Sequence, residues 1–187
     1  MKFRFGLREL CFVIIGTAVN AYLGNIDLGY EINACRAVQP EQVVTALFAM
    51  MGGPVVGSLT GFLGYVLARL TFHQVCYWGW AAANLVVGLG IGMYADRYYL
   101  PDGDFKGMKV VVFNLIQVIA NGCAFLLVYP LSEVLLYEVP ITGGLQTGIG
   151  VFAVNSCVVG VGATVIGVIY SGLVSVRKKS IKKHKEK

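Results

Sequence analysis

Residues 110–132 read VVVFNLIQVIANGCAFLLVYPLS, a run without one charged side chain. At about 1.5 Å of rise per residue, a helix of this length reaches about 34 Å, enough to cross the roughly 30 Å hydrocarbon layer of a bilayer. Residues 139–176 are uncharged as well. Within lipid the backbone has no water to bond, so such segments must be helical and bond internally. The rest of the chain agrees with this pair of segments. Its 187 residues are 57% hydrophobic and 13% charged, against about 25% charged residues in ordinary soluble domains. The expected fold is all-α and polytopic, with one transmembrane domain over 1–176 and a basic cytoplasmic tail over 177–187.

Apolar periodicity and turn residues place helices at about 7–24, 41–52, 55–71, 76–95, 107–131 and 145–175. Gly52, Gly53 and Pro54 separate the second and third, because glycine relieves backbone sterics and proline suits a first helical turn. That pair should form a tight hairpin. Lys2, Arg4 and Arg8 precede the first apolar run, which reads as a retained span rather than a cleaved signal. These cations fall on one side with Arg97, Lys106, Lys109 and the basic tail, while Asp27, Glu31, Glu133 and Glu138 fall on the other. Lys- and Arg-rich flanks stay in the cytoplasm. Both termini are therefore expected inside, and anionic lipid is the natural neighbour of the tail.

Several function classes are excluded on chemistry. The net charge of +5 resides mostly in the tail, without the aromatic-interleaved basic surface of a nucleic-acid binder. The two histidines, His73 near a helix end and His184 in a tail with the look of disorder, have no nucleophile or carboxylate arrangement around them. No enzyme is expected. Gly148 to Ala153 fits G-x-G-x-x-A, but it lies in an apolar span with no preceding strand and reads as helix packing. The five cysteines, Cys11, Cys35, Cys76, Cys123 and Cys157, show no metal-site spacing and read mainly as small apolar helix residues. Neither a metal nor a cofactor is expected.

The informative residues are uncharged and polar. Asn84, Asn114, Gln117, Asn121, Asn155 and Ser156 fall inside the spans, where an amide must face protein, water or a ligand. Asn114, Gln117 and Asn121 are spaced to share one face of the fifth helix, and Tyr77, Trp80 and Asn84 one face of the fourth. Two readings stay open for each set. The amides either bond between helices or read the edges of a ligand; the aromatics either anchor at the membrane boundary or stack on a flat heterocycle. Trp80 is favoured for a pocket and Trp78 for the lipid belt. Between Gly24 and Glu41 lies a polar loop holding Tyr30, Glu31, Asn33, Arg36 and Gln39, either a lid or a solvated connector.

Certain strings carry a resemblance. They are Ala46, Leu47, Phe48, Ala49 followed by Gly53, Pro54, Val55, Val56, Gly57; the cluster Tyr77, Trp78, Gly79, Trp80; the run FNLIQVIAN over 113–121; and Asn155, Ser156 with Gly160, Val161, Gly162. Over about residues 12–172 the chain resembles the substrate-binding (S) components of energy-coupling factor (ECF) transporters, in particular the UPF0397 family, grouped with the riboflavin-transporter S components. The resemblance implies a six-helix bundle in a prokaryotic plasma membrane that captures a water-soluble vitamin or related precursor from outside. It also implies partners: a transmembrane T component and two ABC-type ATPases. Candidate ligand contacts are Tyr30, Tyr77, Trp80, Asn84, Asn114, Gln117, Asn121 and Asn155. S components usually dock through small residues four apart in the first helix. Arg8 and Glu9 stand where such residues would be expected, and Gly16, Thr17, Asn20 and Ala21 are the nearest substitutes. A self-sufficient secondary transporter and a ligand-free membrane scaffold are the alternatives. Riboflavin, a thiamine precursor, cobalamin, a queuosine precursor and a methionine-related compound all suit aromatic and amide groups.

Overall fold

A computed structural model describes residues 6–26, 31–32, 35–36, 38–71 and 75–185. Helix α1 spans Leu7–Leu23 and is followed by a minimal antiparallel ladder, β1 (Glu31–Ile32) on β2 (Cys35–Arg36), with Glu31 opposite Arg36. The helical segment Glu41–Thr71 is broken at Gly53, whose φ of 81° and ψ of −164° lie where only glycine is at ease. A side chain added at Gly57 would meet Ala49 Cβ at 2.5 Å, and one at Gly61 would meet Thr45 Cγ2 at 3.1 Å. Both pairs are centred on residue 53, as in two helices folded back on each other. Helices α2 (41–52) and α3 (54–71) therefore form the hairpin expected from Gly52, Gly53 and Pro54.

Helix α4 covers Trp78–Met93, and two short 3-10 turns, Ala95–Arg97 and Leu100–Asp102, lead to α5, Met108–Tyr137. The apolar pattern places the end of α5 near residue 131; within a regular α-helix Pro130 would lack an N–H and its ring would collide with the carbonyl four residues back. Instead the helix widens into a π turn over Cys123–Val128 and continues to Tyr137. That wider turn absorbs the proline, and α6 closes on it: a side chain at Gly148 would lie 2.1 Å from the Phe125 carbonyl oxygen. Glu138, with φ of 55°, ends α5 in the left-handed region. Helix α6 runs from Ile141 to Lys185, 45 residues and about 67 Å, far longer than a bilayer core. It thus carries the basic segment beyond Val176 as continuous helix, where the sequence suggests a disordered tail.

Packing depends on the absence of side chains at a few places. Along α3 and α4, Gly57 faces Gly88, Gly61 faces the Asn84 carbonyl, and Gly92 faces Gly53 and Pro54, each so closely that an added Cβ would sit within about 2.6 Å of backbone. Backbones can approach in this way only where side chains are missing. Helix α6 presents a narrow inner stripe at every fourth position, Val151, Asn155, Val159, Ala163, Gly167 and Ser171. Its other faces, like those of α5, are apolar and exposed: Leu115, Ile119, Leu127, Leu131 and Leu135 on α5, and Ile149, Val161, Val165, Ile169 and Leu173 on α6. A surface of that size and character is a lipid contact rather than a water contact. Glu41–Thr71, Met108–Tyr137 and Ile141–Ile181 are long and apolar enough to cross a membrane, although the first doubles back at Gly53.

One end of the bundle is basic and firmly closed. Phe105 N–H donates to Ser171 Oγ at 2.8 Å, Lys178 Nζ donates to the carbonyls of Pro101 and Asp102 at 3.2 and 2.9 Å, and Arg8 Nη2 donates to Tyr99 Oη at 2.9 Å. These bonds tie α1 and α6 to the α4–α5 connection, beneath which Ala95, Tyr98, Leu100 and Phe105 are fully buried. The opposite, acidic end holds the start of α2, the start of α4 and the α5–α6 turn with Glu133 and Glu138.

Candidate ligand site

The acidic end collects the buried amides. Asn84, in the second turn of α4, donates from Nδ2 to the Trp80 carbonyl at 2.9 Å. Its Oδ1 accepts from Gln42 Nε2 at 3.3 Å. The same Gln42 nitrogen donates to Gln39 Oε1 at 2.7 Å, and the Gln39 backbone N–H donates to Asn155 Oδ1 at 3.0 Å. Four amide side chains from the start of α2, from α4 and from the middle of α6 are thus joined in one chain of bonds, each residue at most 3% exposed. One turn before Asn84, the Trp80 ring lies 4.9 Å from Tyr129 and 5.8 Å from Phe125, tilted in both pairs.

A second chain adjoins it one residue along α6. Asn121 Nδ2 donates to the Gln117 carbonyl and to Gln117 Oε1 at 2.9 and 3.1 Å, and Gln117 Nε2 donates to the Ser156 carbonyl at 3.0 Å. Within these two chains, three buried amide atoms have no hydrogen-bond partner among the described residues: Gln42 Oε1, Asn121 Oδ1 and Asn155 Nδ2. Each costs about 1–3 kcal/mol if it stays unmet. Asn20 Oδ1 and Asn25 Oδ1 also lack one; Asn20 Oδ1 packs directly on Gly64 between α1 and α3.

The residues singled out by spacing therefore separate. Trp80, Asn84, Gln117, Asn121 and Asn155 converge on the two adjoining chains. Asn114 does not, because its Nδ2 donates to the Val110 carbonyl and to Thr164 Oγ1, both at 3.0 Å, which makes it a bond between α5 and α6 nearer the basic end. Tyr77 does not share the face of Trp80 and Asn84. It precedes α4 with extended backbone, φ −86° and ψ 112°, so helical spacing does not apply to it; its ring is 45% exposed and packs edge-on against Tyr137. Trp78 is half exposed, its backbone N–H donating to Tyr137 Oη. Tyr30 lies outside the described residues. Gln42 is absent from the spacing argument altogether; the one signal for it is a glutamine in the first turn of an otherwise apolar helix.

The surface suggested by Gly16, Thr17, Asn20 and Ala21 also needs correction. Gly16, Asn20 and Ala21 are buried: Gly16 abuts Phe48 and Thr60, and Asn20 Nδ2 donates to the Glu41 carbonyl and to Thr45 Oγ1. Thr17 alone is partly accessible. The exposed face of α1 is instead Cys11, Ile14, Ile15, Ala18, Val19 and Tyr22. The physical reason is that α1 is apolar on every side, so its sequence does not mark which face meets protein.

Residues 5–172 match the family described as the ECF-type riboflavin transporter, S component. The chain belongs to that family. Its members are transporter components rather than enzymes, and this S component is a multi-pass membrane protein. It is similar to proteins named UPF0397 protein from bacteria: 34% identical to one from Lactobacillus gasseri, covering 95% of each chain; 31% identical to one from Clostridium perfringens, covering 97% of this chain and 98% of the relative; and 27% identical to one from Streptococcus gordonii, covering 89% of each.

Proposed function

We propose that this S component captures a water-soluble vitamin or related precursor outside a prokaryotic cell and delivers it inward through the plasma membrane with a T component and two ABC ATPases. The observation that carries the reading is the joined amide chain of Gln39, Gln42, Asn84 and Asn155, anchored on the Trp80 carbonyl, in a chain of this family. The site belongs to the acidic end, which the charge distribution turns outward: Arg8, Lys106, Lys109 and Lys178 gather at the other end, and basic flanks remain cytoplasmic. Docking on the T component is assigned to the exposed face of α1 around Ala18, since Gly16, Asn20 and Ala21 are occupied by α2 and α3. Reporters fused after Lys187 and at Gly103 are expected in the cytoplasm, and one at Asn33 outside; opposite labelling at any of the three would overturn this orientation.

The alternative of a self-sufficient secondary transporter draws on one feature, the buried Glu133, an intramembrane acid of the kind that couples ion flow. Glu133 lies at the very end of the bundle against Gly79, not at midspan where coupling sites belong. Energy dependence separates the two readings. Ligand binding by the purified subunit should be indifferent to ATP, while uptake in cells should vanish on deletion of the partner ATPases. Sustained uptake by this chain alone in ATP-free vesicles would favour the secondary transporter.

A further inference from the structure

We infer that the lipid around this chain is unequal in depth: short acyl chains cover the face of α1, α3 and α4, and the bilayer thickens toward α5 and α6. Exposed apolar side chains run from Leu7 to Tyr22 on α1, from Val55 to Leu70 on α3 and from Trp78 to Met93 on α4. Each run covers about 22 Å along its helix axis. Polar groups close these runs: Arg8 and Glu9 stand in the first turn of α1 and Asn25 lies beyond its other end, while α4 passes through Tyr94 directly into Asp96 and Arg97, both exposed. On α5 the exposed apolar run extends from Val111 to Leu136, about 38 Å, and on α6 from Ile141 to Val176, about 52 Å. A hydrocarbon layer of about 30 Å is too deep for the first three helices and too shallow for the last two.

Tilting does not remove the difference. A side chain added at Gly79 would meet Glu133 Oε1 at 3.0 Å, and one added at Gly90 would meet Ala120 Cβ at 2.8 Å, so α4 and α5 run side by side between these points. From the first contact to the second α4 advances from 79 to 90 and α5 from 133 to 120, about 17 and 20 Å. A tilt steep enough to bring all of α5 within the hydrocarbon would carry α4 with it and shorten the crossing of α4 further. A helix shorter than the layer draws the lipid inward or shelters behind a neighbour. The face of α1, α3 and α4 therefore selects short acyl chains. Since docking is assigned to α1, a partner helix there would displace mismatched lipid, and the mismatch favours that association.

The test places one lipid-facing tryptophan on each side of a Trp78→Phe chain, Ile15→Trp on α1 or Ile119→Trp on α5, with the buried Trp80 as a constant background. Both reporter positions are more than half exposed, 53% and 65%. Each variant is reconstituted in mixtures of dimyristoleoyl- and dioleoyl-phosphatidylcholine, one or the other brominated across its double bonds, and fluorescence quenching reads which lipid lies beside the reporter. Ile15→Trp should favour the shorter lipid about two- to fivefold, and Ile119→Trp should favour the longer one to a similar degree. Leu63→Trp on α3 and Leu127→Trp on α5 repeat the comparison if either first variant does not reconstitute. The same preference at both faces, a reversed one, or an Ile15→Trp signal that neither brominated lipid quenches, as when a second copy covers α1, would overturn the inference.

Discussion

Gly88→Ala is expected to abolish the stable fold in detergent, shown by loss of a monodisperse elution peak and a melting temperature far below that of the unaltered chain. A Cβ at residue 88 would lie 2.1 Å from the Gly57 carbonyl oxygen and 2.3 Å from its carbonyl carbon. Both are backbone atoms, so no side chain can rotate away and α3 must separate from α4. Overpacking a tight interior costs about 1–3 kcal/mol even where side chains can yield; against rigid backbone the cost should be at the top of that range or above it. The damage would extend to the site, because Gly61 and Asn84 make the next contact of this helix pair, one turn along from Gly57 and Gly88. Gly172→Ala is the control, since nothing lies within 4 Å of its added Cβ. A Gly88→Ala protein as stable as Gly172→Ala would refute the close approach of α3 and α4.

Asn84→Ala should have the largest effect on capture among the polar substitutions. It removes the acceptor for Gln42 and the anchor to the Trp80 carbonyl, which frees the Gln42 amide to rotate. Loss of one buried polar partner costs about 1–3 kcal/mol, so affinity for the compound that copurifies should fall about five- to 150-fold. Asn121→Ala should weaken it within the same range. Trp80→Ala should lose binding together with stability, because it empties the space beside Phe125 and Tyr129, and truncating a buried aromatic costs about 3–5 kcal/mol. Trp78→Ala, on the exposed side of the same helix, should leave affinity unchanged. Titration calorimetry on variants that elute as folded particles reads these differences. Unaltered affinity in both Asn84→Ala and Asn121→Ala would show that the amides only bind helices together.

The existence of the spans, the hairpin and the inventory of polar groups were legible in the residues, while the ends of α5 and α6 were not. A charge-free run of more than twenty residues can hardly be anything but a membrane helix, since lipid leaves the backbone no other partner. Gly52, Gly53 and Pro54 allow a reversal that few other residues allow. Asn84, Asn121 and Asn155 announced themselves because an amide in an apolar helix is conspicuous wherever it points.

Direction was another matter, and the tertiary structure alone decided it. In water a helix shows its inner face by contrast between apolar and polar sides, but in a bilayer both sides are apolar. Gly16, Asn20 and Ala21 could thus look like a docking surface when they pack on α2 and α3. Tyr77 follows helical spacing on paper and leaves it in space because the helix has not yet begun there. The end of α5, expected near residue 131, moves to Tyr137 because a π turn accommodates Pro130. Gln42 bonds Gln39 and Asn84, 3 and 42 positions away along the chain, and Gln39 in turn bonds Asn155, 116 positions away; only folding brings pairings that distant within hydrogen-bond reach.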